Sequence, residues 1–145
     1  MIRQFQNNDL DEIINIWLIC SKESHSFIDS KIWEDQIENM RIKYIPNSET
    51  YVFEESDKIV GFISLVDEKL AALFISPKNQ KRGIGGKLIN KAKELRSNLE
   101  LQVYTQNNNA IKIYEKHGFK IMQTNICELT KCEEYIMKWS IKDVI

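Results

Sequence analysis

The spacing of apolar positions changes period several times along the chain, and each change marks an element boundary. "MIRQF" alternates apolar and polar residues, which predicts a short half-buried strand at residues 1–5. "NNDLDEIINIWLICSK" opens with cap-forming Asn and Asp, then places Leu10, Ile13, Ile14, Trp17 and Leu18 at helical spacing. After the polar break "SHSFIDSK", Asp29 or Ser30 can cap a second helix running to about Tyr44. Its inward stripe is Ile32, Trp33, Ile37 and Met40, and Pro46 and Asn47 close it. "ETYVFEE" and "KIVGFISLVDE", joined at "SD", read as an antiparallel pair. "LAALFIS" is almost wholly apolar, the pattern of a central strand buried on both faces.

The period returns to that of a helix from Gly83 to about Leu95, with Ile84, Leu88, Ile89, Ala92 and Leu95 inward. "LELQVYT" alternates as a strand. "NNNAIKIYEKHGF" is a helix capped by Asn and ended by Gly118 in the left-handed conformation. "KIMQTN" and "EEYIMKWSI" supply two last strands. Strand, two helices, three strands, helix, strand, helix and two strands predict a mixed α/β sheet with helices on both faces. The 145 residues contain no repeat or linker and fit a single domain, 1–145.

Composition narrows the functional classes. A net charge of −1 with interspersed acids and bases argues against a general nucleic-acid binder. No apolar run approaches the roughly 18 residues of a membrane span, and the charged N-terminus is no secretory signal. Cys20, Cys127 and Cys132 read as reduced thiols of a cytoplasmic protein. Cys127 and Cys132 have no histidine near them to complete a metal site, so no metal is expected.

Candidate chemistry concentrates in "AALFISPKNQKRGIGGKL", where a strand hands over to a helix. Gly83, Gly85 and Gly86 lie at the helix start, beside its unpaired N–H groups. Missing side chains allow a ligand to approach the backbone, and the helix dipole favours an anion. Lys78, Lys81, Arg82 and Lys87 would suit a multiply charged phosphate. The plainer reading is a loop that needs glycine for a tight turn. A P-loop would require Gly-x-x-x-x-Gly-Lys-Ser/Thr, which is missing. A dinucleotide fingerprint fails because Leu88 stands where its third small residue belongs.

Gln80-x-x-Gly83-x-Gly85 resembles the pyrophosphate-binding signature of the GNAT superfamily of N-acetyltransferases. Asn107-x-x-Ala110-x-x-x-Tyr114-x-x-x-Gly118-Phe119 resembles the family's second motif. The element order is similar too, and "IWLICSKESHSFI" and "ALFISP" resemble a small bacterial subgroup, the YjaB-like proteins. The resemblance implies an α/β (α+β) GNAT fold: a mixed, mostly antiparallel sheet of about seven strands flanked by about four helices. It also implies direct transfer of an acetyl group from acetyl-CoA to a primary amine. In that scheme Leu73, Phe74 and Ile75 pair with the pantetheine arm, as a strand edge can. Gln80, Lys81, Arg82, Gly83, Ile84, Gly85, Gly86 and Lys87 hold the pyrophosphate, and Ala110 also lies against the cofactor. Asn107 bonds the pantetheine or caps its helix, Tyr114 is the general acid, and a backbone N–H near Phe74 serves the oxyanion.

The base has three candidate sources. Many relatives carry a glutamate on the cofactor strand, whereas this strand has Leu70, Ala71 and Ala72, with Glu68 at its mouth. His25 is a second candidate, and a water chain to Glu23 or Glu68 a third. Glu23, His25 and Phe27 would border the acceptor, and Glu128, Glu133 and Glu134 would add an acidic rim attractive to a cation. Cys20, on an apolar helix, is not a nucleophile in a direct-transfer scheme. The expected partner is a small-molecule, peptide or protein amine, and the protein is a monomer or homodimer. The competing reading, favoured by the missing strand carboxylate, is a non-catalytic acyl-CoA-binding or sensing module.

Overall fold

In the computed structural model, which describes residues 1–144, period-2 alternation builds one seven-stranded sheet. Its strands are β1 (Ile2–Gln4), β2 (Glu49–Glu55), β3 (Lys58–Val66), β4 (Lys69–Ile75), β5 (Asn98–Tyr104), β6 (Lys120–Ile126) and β7 (Glu133–Ser140). They lie in the order β1-β2-β3-β4-β5-β7-β6, and only β4 and β5 run parallel. The helical segments are α1 (Leu10–Ser24), α2 (Ser30–Asp35), α3 (Ile37–Asn39), α4 (Ile84–Leu95) and α5 (Asn108–Lys116).

β2 shows how alternation makes two layers. Tyr51 and Phe53 join Leu88 and Ile89 of α4 and Ile111 of α5 in one core. Val52, between them, faces Ile13 and Trp17 of α1 in the other. Each layer is a helix stripe against one sheet face.

Three expectations are corrected. The second helix breaks: α2 stops at Asp35, and a π-helical turn spans Met40–Tyr44 after α3. That turn closes with Ile45 N–H donating to the Met40 carbonyl at 3.1 Å, and it puts both Met40 and Ile45 in the core. Of the two expected caps it is Asp29 that holds α2, accepting from the Lys31 N–H at 3.0 Å. Leu95 is partly exposed at the end of α4, where the helix outruns the layer beneath it.

The last correction positions the site. β4 is not buried on both faces; Leu70 alone is fully buried. The β4–β5 ladder has one registered pair, Lys69↔Glu100, after which the strands part. Ser64↔Ala72 is followed by Leu65↔Leu70 along β3–β4, so Ala71 is an extra, bulged residue. A bulge sharpens local twist, which turns β4 away from β5 at the point where the ladder ends.

Candidate active site

The parted strands open a cleft of about 640 Å³ between the two halves of the sheet. Leu70 to Phe74 of β4 and Glu100 to Tyr104 of β5 form its sides, with Asn107, Ala110 and Tyr114 at the α5 end. Beyond Lys69 the cleft-facing edge of β4 has no strand partner, so its backbone groups can pair with an amide-bearing ligand.

Past this edge comes the glycine turn. Lys81 (φ 64°) and Gly83 (φ 82°) both adopt the left-handed conformation that lets the chain enter α4. A Cβ on Gly83 would meet nothing within 4 Å, so the space in front of the helix start is open. Lys87 N–H donates to the Gly83 carbonyl at 3.1 Å, which leaves the amides of Ile84, Gly85 and Gly86 as the unpaired donors. The Ile84 side chain itself is buried in the core. Gly86 has a packing reason as well: a Cβ there would lie 3.0 Å from the His117 ring.

The flanking polar groups are held. Arg82 donates to both carboxylate oxygens of Glu55 at 2.9 and 2.8 Å and to Asn79 Oδ1 at 2.8 Å. Gln80 Nε2 donates to the Ile75 carbonyl at 3.0 Å. The Cys20 thiol donates to that same carbonyl, also at 3.0 Å. Burial pushes the Cys20 thiol up to about 12, so it stays protonated. The Lys87 ammonium sits over the Phe53 ring, 5.7 Å from its centroid.

At the inner end Tyr114 packs edge-on against Phe119, with centroids 5.7 Å apart, while its ring lines the cleft. Burial raises its pKa above that of free tyrosine, keeping the hydroxyl protonated. Asn107 caps α5, accepting from Ala110 N–H at 3.3 Å, and its Nδ2 reaches His25 Nε2 at 3.3 Å. Of its expected uses the cap is present, and the contact with His25 is one the sequence did not suggest.

His25 is buried among Phe27, Trp33 and Tyr104, their centroids 5.9, 5.4 and 4.9 Å from its own. Burial pushes its pKa down to about 4, so the ring is neutral across the physiological range. Its Nε2 lone pair is engaged by Asn107, which leaves no free basic nitrogen. Glu68 stands outside the cleft in the β3–β4 turn, where Asn98 Nδ2 donates to it at 3.4 Å. Glu23 is exposed on α1 and does not line the cleft.

One residue treated in the sequence merely as part of an acidic rim turns out differently. Glu134 is buried and lines the cleft beside Tyr104, its cross-strand neighbour. The signal for it was present, since the alternation of "EEYIMKWS" sends Glu134 and Ile136 to the same face.

A model of the acetyltransferase (GNAT) domain matches residues 46–121. Peptidyl-lysine N-acetyltransferase YiaC from Escherichia coli K12 is 35% identical over 142 residues, 97% of either chain. The solution structure of apo YjaB from Escherichia coli superposes with a TM-score of 0.83 at 25% identity over 96% of both chains. The PaiA N-acetyltransferase of Thermoplasma acidophilum, solved with coenzyme A, gives 0.84 at 21% identity over 97% of this chain and 98% of that one. The chain belongs to the GNAT acetyltransferase family, and it transfers an acetyl group from acetyl-CoA to an amine.

Proposed function

We propose that the protein is a lysine N-acetyltransferase whose acceptor is the side-chain amine of a peptide or protein lysine. The observation that carries this reading is the bulge-driven split between β4 and β5, with the Tyr114 ring at its inner end. The name of the YiaC relative supports the acceptor class.

The residues present suit acetyl-CoA. The open space before Gly83 and the free amides of Ile84, Gly85 and Gly86 accommodate a pyrophosphate, with Lys81 and Lys87 supplying charge. Gln80 fixes the carbonyl of Ile75 and so shapes the turn. The free edge of Leu73 and Phe74 meets the amides of the pantetheine arm, while the Ile75 carbonyl expected to join them is already held by Gln80 and Cys20; small Ala110 leaves room beside the arm. The bound thioester supplies the activated acetyl group. A β4 backbone N–H near Phe74 stabilises the charge that grows on the acetyl oxygen. Tyr114 protonates the departing sulfur. Neutral His25 lines the acceptor side, with Phe27 packed edge-on against it and outside the cleft lining.

The reaction runs in a single domain, residues 1–145, acting as a monomer or homodimer in the cytoplasm. Three free cysteines suit that reducing compartment, and among the described residues no helix is long and apolar enough to cross a membrane. Incubating the protein with acetyl-CoA and a panel of lysine peptides, polyamines, aminoglycosides and free amino acids tests the assignment. Acetyl-lysine detected by mass spectrometry is the expected result, and turnover confined to the small amines would overturn it.

A further inference from the structure

Two carboxylates line the cleft on the acceptor side of the sheet, and their surroundings differ. Glu100 is half-buried and ion-paired to Lys138 at 3.4 Å. Glu134 is only 7% exposed, accepts a single hydrogen bond, from Asn125 Nδ2 at 3.2 Å, and has no ion pair among the described residues. Burying a carboxylate without a cation is unfavourable, and a cation arriving from outside would offset that cost. Its neighbourhood suits one kind of cation. Tyr104 lies across the β5–β7 ladder from Glu134, and its ring meets those of His25, Phe27 and Trp33 within 4.9 to 6.4 Å. Aromatic faces accept both an apolar stem and an ammonium head.

We infer that Glu134 receives the acceptor's ammonium in the cleft and takes its proton, making it the base of the reaction. The inference rests on the lysine reading above, and it fills the role that Glu68, Glu23 and His25 are not placed to fill. The carboxylate removes one proton from the ammonium, freeing the nitrogen lone pair. That nitrogen bonds to the acetyl carbon as the carbon–sulfur bond breaks, and Tyr114 gives its proton to sulfur. The second nitrogen proton restores the Tyr114 hydroxyl, and Glu134 releases its own to solvent.

The test compares two nucleophiles at about pH 8: a lysine peptide, which is an ammonium there, and hydroxylamine, which is uncharged. Glu134→Gln keeps the shape and the Asn125 hydrogen bond but loses the charge and the basicity. It is expected to lower kcat/KM for the peptide by about 10²–10⁴-fold while hydroxylamine acetylation stays within a few fold. Glu134→Asp should retain more of the peptide rate than Glu134→Gln. CoA affinity by calorimetry should match wild type in both variants, which also shows that they are folded. An unchanged peptide rate in Glu134→Gln, or equal losses with both nucleophiles, overturns the inference. A wild-type protein that acetylates hydroxylamine but no lysine peptide overturns the lysine reading first, and this inference with it.

Discussion

The Asn107 amide donates to His25 Nε2 at 3.3 Å while its oxygen caps α5. Because the cap fixes which end of the amide faces the ring, His25 carries its proton on Nδ1, a buried atom with no partner among the described residues. Burial holds the folded pKa near 4, below the ordinary value of 6.5. A depressed base contributes its full stability above the unfolded pKa and loses it as pH falls from about 6.5 toward 4. Urea titrations at about pH 7 and pH 4.5 should show wild type losing about 2 kcal/mol more than His25→Gln. Arg3-paired Asp9 adds acid sensitivity of the same sign to both proteins, so the difference between them is the readout. Equal losses would show that His25 is not the group that titrates. The same burial means that no limb near pH 6–7 in a turnover profile belongs to this imidazole.

Tyr114→Phe isolates the acid. The ring stays packed against Phe119, so CoA affinity and thermal stability should hold. kcat should fall about 10²–10⁴-fold, because the hydroxyl matters when charge builds on sulfur. Burial keeps that hydroxyl protonated, so wild-type turnover should show no basic limb from Tyr114 below the range of free tyrosine. Full turnover in the variant would return Tyr114 to a packing role.

Much of the site was legible because its parts are local. The glycine turn, the Asn107 cap and the left-handed Gly118 each follow from residues within a few positions of one another. Features set by distant pairings were hidden. "LAALFIS" carries the pattern of a fully buried strand, yet the bulge at Ala71 and the lost ladder to β5 leave it lining a cleft. The break at Gln36 and the π-helical turn depend on burying Met40 and Ile45 together, which no helical periodicity encodes. His25 looked like a base because its residue type suits pH 7; its environment, not its type, sets its pKa.

Gly85→Val tests the phosphate cradle with little cost to the fold. A Cβ there sits 4.0 Å from Ile75 Cγ1, an ordinary contact, and valine is no worse than glycine in a helix. The variant should melt at or above the wild-type temperature yet lose CoA binding by calorimetry. Gly83 is the less clean site, since at φ 82° any side chain strains the backbone by roughly 1 kcal/mol whatever space lies ahead. Unchanged CoA affinity in Gly85→Val would move the pyrophosphate elsewhere.

Arg82 cannot hold Glu55 through both nitrogens and also face a phosphate. The pair is exposed, and its hydrogen bonds draw the Glu55 carboxylate below its usual range. CoA would therefore compete with Glu55 for the guanidinium. Glu55→Gln should tighten CoA binding a few fold at low salt, and the gain should shrink as salt screens it. Arg82→Ala should weaken CoA binding and, in the double variant, erase the benefit of Glu55→Gln. If the benefit persists without Arg82, Glu55 acts on the phosphates by direct repulsion, and the arginine is no part of the cradle.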